Sequence, residues 1–268
     1  MSDQPRHTTA DVASQPVLTE RRGRTLIITI NRAHVRNAVD HATSEAIERA
    51  MDLLDASDDL VVGVLTGAGT SFCAGADLTA AAGGKAPAVG RHRGTFGVID
   101  HPPGKPLIAA VEGYAVGGGL ELCLACDLVV AAETARFGLP EVRHNLTARA
   151  GGLFRLPKRI PYHLAMEAAL TGQLRDAAHY HRAGLVNRLV GEGDALTEAL
   201  ALAAMIEVNG PTAVAATKQI ISASNSWATE EEAWTAQTQI EEIIDPRDTA
   251  EGLAAFVEKR APVWTTTF

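Results

Sequence analysis

Two spacings of apolar residues alternate along the chain. The run Val17-Leu18-Thr19-Glu20-Arg21-Arg22-Gly23-Arg24-Thr25-Leu26-Ile27-Ile28-Thr29-Ile30 places two short apolar stretches around Arg22-Gly23, which predicts two strands joined by a turn. From Asp40 the spacing becomes helical. Asp40 can cap a helix reaching about Ala56, with Ala46, Ile47, Ala50, Leu53 and Leu54 on one face. Leu60 to Thr66 is continuously apolar apart from Gly63, the pattern of a strand buried on both sides, and Asp127 to Ala132 reads the same way. A glycine-punctuated loop spans Gly67 to Leu78, and the stretch from about Thr79 to Arg93 has no core pattern and is expected to be mobile. After Gly151-Gly152 the chain reads as mostly helical, over about 161–170, 176–184, 193–208, 211–224, 228–243 and 247–259. Pro161, Gly172, Gly191, Gly210, Pro211 and Pro246 punctuate those helices. Strand, helix and strand recur, which predicts an α/β arrangement whose strand ends collect functional loops, followed by a helical layer or oligomerisation appendage.

One stretch organises the rest. Ile108 to Cys123 reads as a buried strand, a turn rich in glycine at Gly117-Gly118-Gly119, and the first turns of a helix carrying Glu121. Consecutive glycines let a ligand approach the backbone, and the first amides of a helix are free to face an anion. Glu121 is the only charged residue from Tyr114 to Cys126, so its carboxylate is expected to be partly desolvated. Two readings fit these residues equally: a functional acid, or a first-turn glutamate on a tightly packed helix. Neither Gly113–Gly119 nor Gly67–Gly75 has the G-x-G-x-x-G spacing of a dinucleotide site, and Gly83-Gly84-Lys85-Ala86 lacks the first glycine and the hydroxyl of a phosphate loop.

Composition narrows the classes. With 268 residues and 46% hydrophobic content the chain fits one large domain, or one domain with a helical appendage. No run approaches the roughly 18 apolar residues of a membrane span, and residues 1–16 are polar, without a signal core, and expected to be disordered; a cytoplasmic protein is the expectation. The net charge of -8 argues against nucleic acid as a partner while leaving room for a locally basic site. Cys73, Cys123 and Cys126 suggest no disulfide framework; Cys123 and Cys126 are expected to pack inward as small hydrophobes, and no metal is expected.

Taken together, Asn31-Arg32 through Asn37-Ala38, Phe72-Cys73-Ala74-Gly75-Ala76-Asp77-Leu78, Glu112 through Glu121, Phe137-Gly138-Leu139-Pro140-Glu141 and Phe256-Val257-Glu258-Lys259-Arg260 resemble the enoyl-CoA hydratase/isomerase (crotonase) superfamily, in the family's order, from about residue 17 to 264. The resemblance implies a crotonase-like α/β spiral of ββα units over residues 17–200. A C-terminal helical region, residues 201–268, would mediate a homotrimer or a hexamer built as a dimer of trimers. It implies an acyl-CoA substrate and no cofactor beyond the coenzyme A moiety. By position, Ala74 and Gly118 match the two backbone donors of an oxyanion hole, and Glu121 and Glu141 match the hydratases' two glutamates, Glu121 taking a proton from water and Glu141 delivering one to C2. Val35, Arg36, Ala76, Asp77 and Leu78 match positions along the coenzyme A channel, where Arg36 either pairs with a phosphate or remains solvated.

The chemistry explains why such a set belongs together. Attack of water at C3 of an enoyl thioester moves negative charge to the carbonyl oxygen, which two fixed N–H donors stabilise; losing one costs on the order of 3 kcal/mol. Two proton movements remain for a pair of carboxyl groups. The implied activity is reversible hydration of a 2-trans-enoyl-CoA in fatty-acid or related acyl-CoA metabolism. Alternatives are a carnitinyl-CoA-type dehydratase, an enoyl-CoA isomerase, or a non-catalytic acyl-CoA-binding protein. Glu141 taken by itself would sooner pair with Arg143 at the surface. His144, Asn145 and Arg149 stand where relatives commonly carry glycine or small residues, so they either narrow the acyl pocket or add a polar contact, with Arg149 the one expected to face solvent.

Overall fold

The computed structural model describes residues 15–265. Strands β1 (Val17–Arg22) and β2 (Thr25–Ile30) form the expected antiparallel hairpin. Helix α1 (His41–Ala56) begins where Asp40 accepts the Thr43 N–H. Then follow β3 (Val62–Gly67), the single turn α2 (Leu78–Ala82), β4 (Leu107–Val111), β5 (Tyr114–Val116), α3 (Gly118–Ala125), β6 (Leu128–Ala132) and β7 (Arg136–Gly138). The rest comprises α4 (Gly152–Arg155), α5 (Tyr162–Thr171), β8 (Arg175–Asp176), α6 (Ala177–Arg182), β9 (Arg188–Val190), α7 (Ala195–Glu207), α8 (Pro211–Ala223), α9 (Glu230–Glu241) and α10 (Pro246–Glu258).

A large sheet runs β1-β2-β3-β4-β6-β9, parallel from β2 onward, and a small sheet runs β5-β7-β8. The chain alternates between them. Each of β4 and β6 is followed by a short strand in the small sheet before the chain turns back, which is the strand–strand–helix repeat expected of a spiral. Alternation along the central strands sorts the core. Val62, Val64, Ile108, Ala110 and Val130 face α7, whose Ala195, Ala199 and Ala203 recur every four residues and let the helix lie close on the sheet. Leu65, Ala109 and Val111 pack on the opposite side, in the larger core that includes Ile47, Ala50, Met51 and Leu54 of α1.

Several expectations need correction. Leu53 is exposed, and Met51 takes the inward position on α1, because the buried stripe drifts with the helical period. A boundary after residue 200 would cut α7 in two, so that helix belongs with the core. Of the tail, residues 1–14 lie outside the described part, whereas the carbonyls of Gln15 and Pro16 accept hydrogen bonds from Asn31. The end of the stretch expected to be mobile is held firmly: the N–H groups of Arg91, His92 and Arg93 all donate to the buried Glu48 carboxylate, at 3.0, 3.1 and 2.9 Å. Among the described residues no single helix is long and apolar enough to cross a membrane.

Candidate active site

Strand β5 brings the glycine loop to the head of α3. On one side it pairs with β7. On the other, the Cys73 N–H donates to the Tyr114 carbonyl at 2.8 Å and the Val116 N–H to the Cys73 carbonyl at 3.1 Å, so Cys73 forms a single parallel bridge with Ala115 beside it. The glycines at the start of α3 follow from that closeness. A β-carbon on Gly119 would sit 2.0 Å from the Cys73 carbonyl oxygen, and one on Gly118 would sit 2.2 Å from the Phe96 ring and 3.2 Å from the Gly75 Cα. No larger residue fits there.

The structure brings the two predicted glutamates together. Glu121, on the first turn of α3, is only 3% exposed, and its Oε1 accepts the Gly152 N–H at 2.9 Å. That donor comes from α4 rather than from its own helix terminus, which separates this residue from an ordinary first-turn glutamate. Burial raises the Glu121 pKa; the Gly152 N–H offsets part of this, the negative charge of Glu141 adds to it, and the Ala150 N–H and Arg155 oppose it. Glu141 comes from the 3₁₀ turn Pro140–His144, against Gly117: a β-carbon there would sit 3.0 Å from Glu141 Oε1. Its Oε2 is buried and has no hydrogen-bond partner among the described residues, and burial raises its pKa as well. No ion pair with Arg143 forms among the described residues, so the surface-pairing reading of Glu141 does not hold. The pair is asymmetric: the anion of Glu121 is supported by the Gly152 and Ala150 N–H groups and by Arg155, whereas the buried Oε2 of Glu141 has no partner among the described residues.

The oxyanion assignment is only half compatible with the geometry. Gly118 opens α3, where an amide has no acceptor within the helix. The Ala74 N–H, however, donates to the Arg36 carbonyl at 3.0 Å and is not free to meet a substrate. Two residues on, the situation reverses. The Val39 N–H donates to the Gly75 carbonyl at 2.8 Å and the Asp77 N–H to the Val39 carbonyl at 2.9 Å, a parallel bridge in which the Ala76 N–H between them points to the other side. It has no backbone acceptor among the described residues, and Gly75, its neighbour, packs directly on Gly118. Of these two amides, that of Ala74 is engaged by the Arg36 carbonyl and that of Ala76 has no backbone acceptor among the described residues.

The remaining predicted residues divide. Val35 is half-buried, Arg36 and Ala76 are exposed, and Leu78 is exposed at the start of α2. The Arg36 guanidinium lies over the Tyr114 ring, 5.6 Å from its centroid. The Asp77 side chain is already committed, accepting the Ala80 N–H at 3.0 Å and pairing with Arg32 at 3.1 Å. His144, Asn145 and Arg149 are all exposed. Cys73, Cys123 and Cys126 are buried, and burial pushes the Cys73 thiol up to about 12. Sequence reasoning missed Gly152, Arg155 and Phe96. Gly151-Gly152 was legible only as a helix start, and no sequence spacing announces that Phe96, in the left-handed region at φ 53, lays its ring on Gly118. A cavity of about 920 Å3 lies beyond the far end of α3 between Leu124 and Lys218, and neither glutamate lines it.

The chain matches the family model described as enoyl-CoA hydratase/isomerase over residues 20–267. It is 42% identical over 262 residues to enoyl-CoA hydratase EchA19 of Mycobacterium tuberculosis, covering 94% of this chain and 98% of that one. It is 39% identical over 251 residues to the carnitinyl-CoA dehydratase of Salmonella typhi, covering 91% of this chain and 96% of that one. The crystal structure of enoyl-CoA hydratase EchA1 from Mycobacterium marinum superposes with a TM-score of 0.91 at 53% identity, over 95% of this chain and all of that one.

Proposed function

Because the chain belongs to the enoyl-CoA hydratase/isomerase family, we propose that it adds water reversibly across the C2–C3 double bond of a 2-trans-enoyl-CoA, with Glu121 and Glu141 as its acid–base pair. The observation that carries this reading is the pairing of the buried Glu121 with the half-buried Glu141, beside the amide of Gly118 at the head of α3 and the amide of Ala76 in the loop packed against it. A water molecule between the carboxyls gives a proton to Glu121 as its oxygen bonds to C3. The electron pair of the double bond moves onto the thioester oxygen, which accepts the N–H groups of Gly118 and Ala76. Return of that charge to C2 takes the proton from Glu141 and yields the 3-hydroxyacyl-CoA. Each turnover leaves Glu121 protonated and Glu141 ionised, and proton exchange with solvent restores the starting pair. The coenzyme A portion would run past Val35, Arg36, Ala76 and Leu78, with the exposed guanidinium of Arg36 beside a phosphate; the chemistry asks for no metal.

A polar acyl group is the second reading, favoured by the likeness to the carnitinyl-CoA dehydratase. The test is an acyl-CoA panel of crotonyl-CoA, a longer 2-enoyl-CoA, a 3-enoyl-CoA and carnitinyl-CoA, followed by product mass and by the absorbance of the conjugated thioester, which reports the mass-neutral shift of a 3-double bond. A gain of 18 mass units on the 2-enoyl substrates is expected; rearrangement of the 3-enoyl substrate alone would replace hydration by isomerisation, and turnover of carnitinyl-CoA alone would establish the dehydratase.

A further inference from the structure

Helix α4 supplies the Gly152 N–H that holds Glu121, and the same turn ends in Arg155. The Arg155 Nη2 donates to the Ile99 carbonyl at 2.7 Å, which anchors the guanidinium in the segment that also carries Phe96. Its Nη1 is buried with no hydrogen-bond partner among the described residues, and a β-carbon on Gly151 would sit 3.2 Å from it. The guanidinium is therefore folded back across the start of its own turn, beside the amide that meets Glu121. It makes no ion pair within bridging distance among the described residues. A direct bridge would occupy a carboxylate oxygen that must receive a proton, whereas a cation held back by Ile99 acts through space and leaves that oxygen accessible.

We propose that Arg155 is a positioning residue of the acid–base pair: anchored at Ile99, its guanidinium is the countercharge that keeps Glu121 ionised beside Glu141. This rests on the hydratase reading for its consequence but not for its geometry. The charged groups that act on Glu121 are Glu141, from the turn after β7, and Arg155; those that act on Arg155 are Asp100, Arg159 and Glu121 itself. Without Arg155, only the Gly152 and Ala150 N–H groups would favour the Glu121 anion against its burial and the charge of Glu141, and Glu121 would hold its proton more tightly.

The experiment reads Glu121 directly. The full-length enzyme labelled with [13C]carboxyl glutamate is titrated by NMR, with the Glu121 resonance identified as the one missing from Glu121→Gln. In Arg155→Gln the midpoint is expected to rise by about one pH unit, and Arg155→Lys, which keeps the charge, is expected to restore most of the difference. In kinetics, the acidic limb of kcat/KM for hydration moves up by the same amount, with the plateau at higher pH retained. Superimposable midpoints in wild type and Arg155→Gln overturn the proposal, as does a loss of rate at all pH values with an unmoved limb. If Arg155→Gln does not fold, Arg155→Met, which keeps the buried stem without the charge, carries the test: its midpoint rises as expected for Arg155→Gln, and an unmoved midpoint overturns the proposal. A shifted midpoint in an enzyme that turns over no acyl-CoA would uphold the countercharge and refute the hydratase reading.

Discussion

Gly152 isolates the effect of carboxylate placement. A β-carbon at this position would lie 3.0 Å from Glu121 Oε1 and 3.1 Å from its Cγ, so Gly152→Ala displaces the carboxylate. Hydration by this variant is expected to fall about 10²-fold in kcat with the circular dichroism unchanged, the scale on which a misplaced catalytic group loses rate. The glutamates also carry a stability signature. Both pKa values are raised above the ordinary 4.5, chiefly by burial, so the folded state holds these protons more tightly than the unfolded chain does. Their stabilising contribution is present below that value and is lost as pH rises through the folded pKa. Glu141→Gln is therefore expected to melt above wild type at pH 8, with the gap closing toward pH 4; a wild type more stable than the variant at pH 8 would contradict the buried, unsupported anion. At this scale neither glutamate was legible by itself: Glu121 read equally as a first-turn glutamate and Glu141 as a surface partner of Arg143, and only the ordered family resemblance put the two together. Ala76 was not distinguishable from Ala74, since which amide is free depends on the carbonyls of Arg36 and Val39, residues far away in the chain.

Among the elements, α1 does more than cover the sheet. Its acidic face grips the loop that ends at Phe96: Glu48 takes three backbone N–H groups, and Arg93 pairs with Asp52 at 2.7 Å and Asp55 at 2.6 Å. Burial raises the Asp52 pKa, but the bonds from Arg93 and His92 outweigh it, so its net shift is downward. That contribution is present above the ordinary aspartate range and is lost as pH falls. Arg93→Met is expected to lower unfolding stability by roughly 2 kcal/mol in urea titration, less than a fully buried pair because both carboxylates keep water contact. Because Phe96 rests on Gly118, the same variant should also weaken acyl-CoA binding. The helices were readable from their caps and periodicity. Strands β5, β7, β8 and β9 were not: each has only two or three residues, and it is partners such as Cys73 and Arg136, distant in sequence, that make them strands.

For the whole molecule, the α/β class and the position of the glycine turn were legible from the repeat of buried strands, while the spiral came from the family resemblance. The C-terminal helices leave apolar side chains uncovered: Leu253, Phe256 and Val257 on α10 are 66, 84 and 78% exposed, and Trp234 on α9 is 66% exposed. Such a surface is what the trimer or hexamer expected from the family resemblance would cover. Sedimentation is expected to give three or six times the 28.2 kDa chain mass, falling toward one in Phe256→Asp/Val257→Asp; a monomeric wild type would refute the assembly. The most direct test of the central claim is hydration of crotonyl-CoA, followed by loss of the conjugated thioester absorbance, in wild type, Glu121→Gln and Glu141→Gln. Both variants are expected to lose at least about 10²-fold in kcat. Near-wild-type turnover by either one would contradict the paired-acid account.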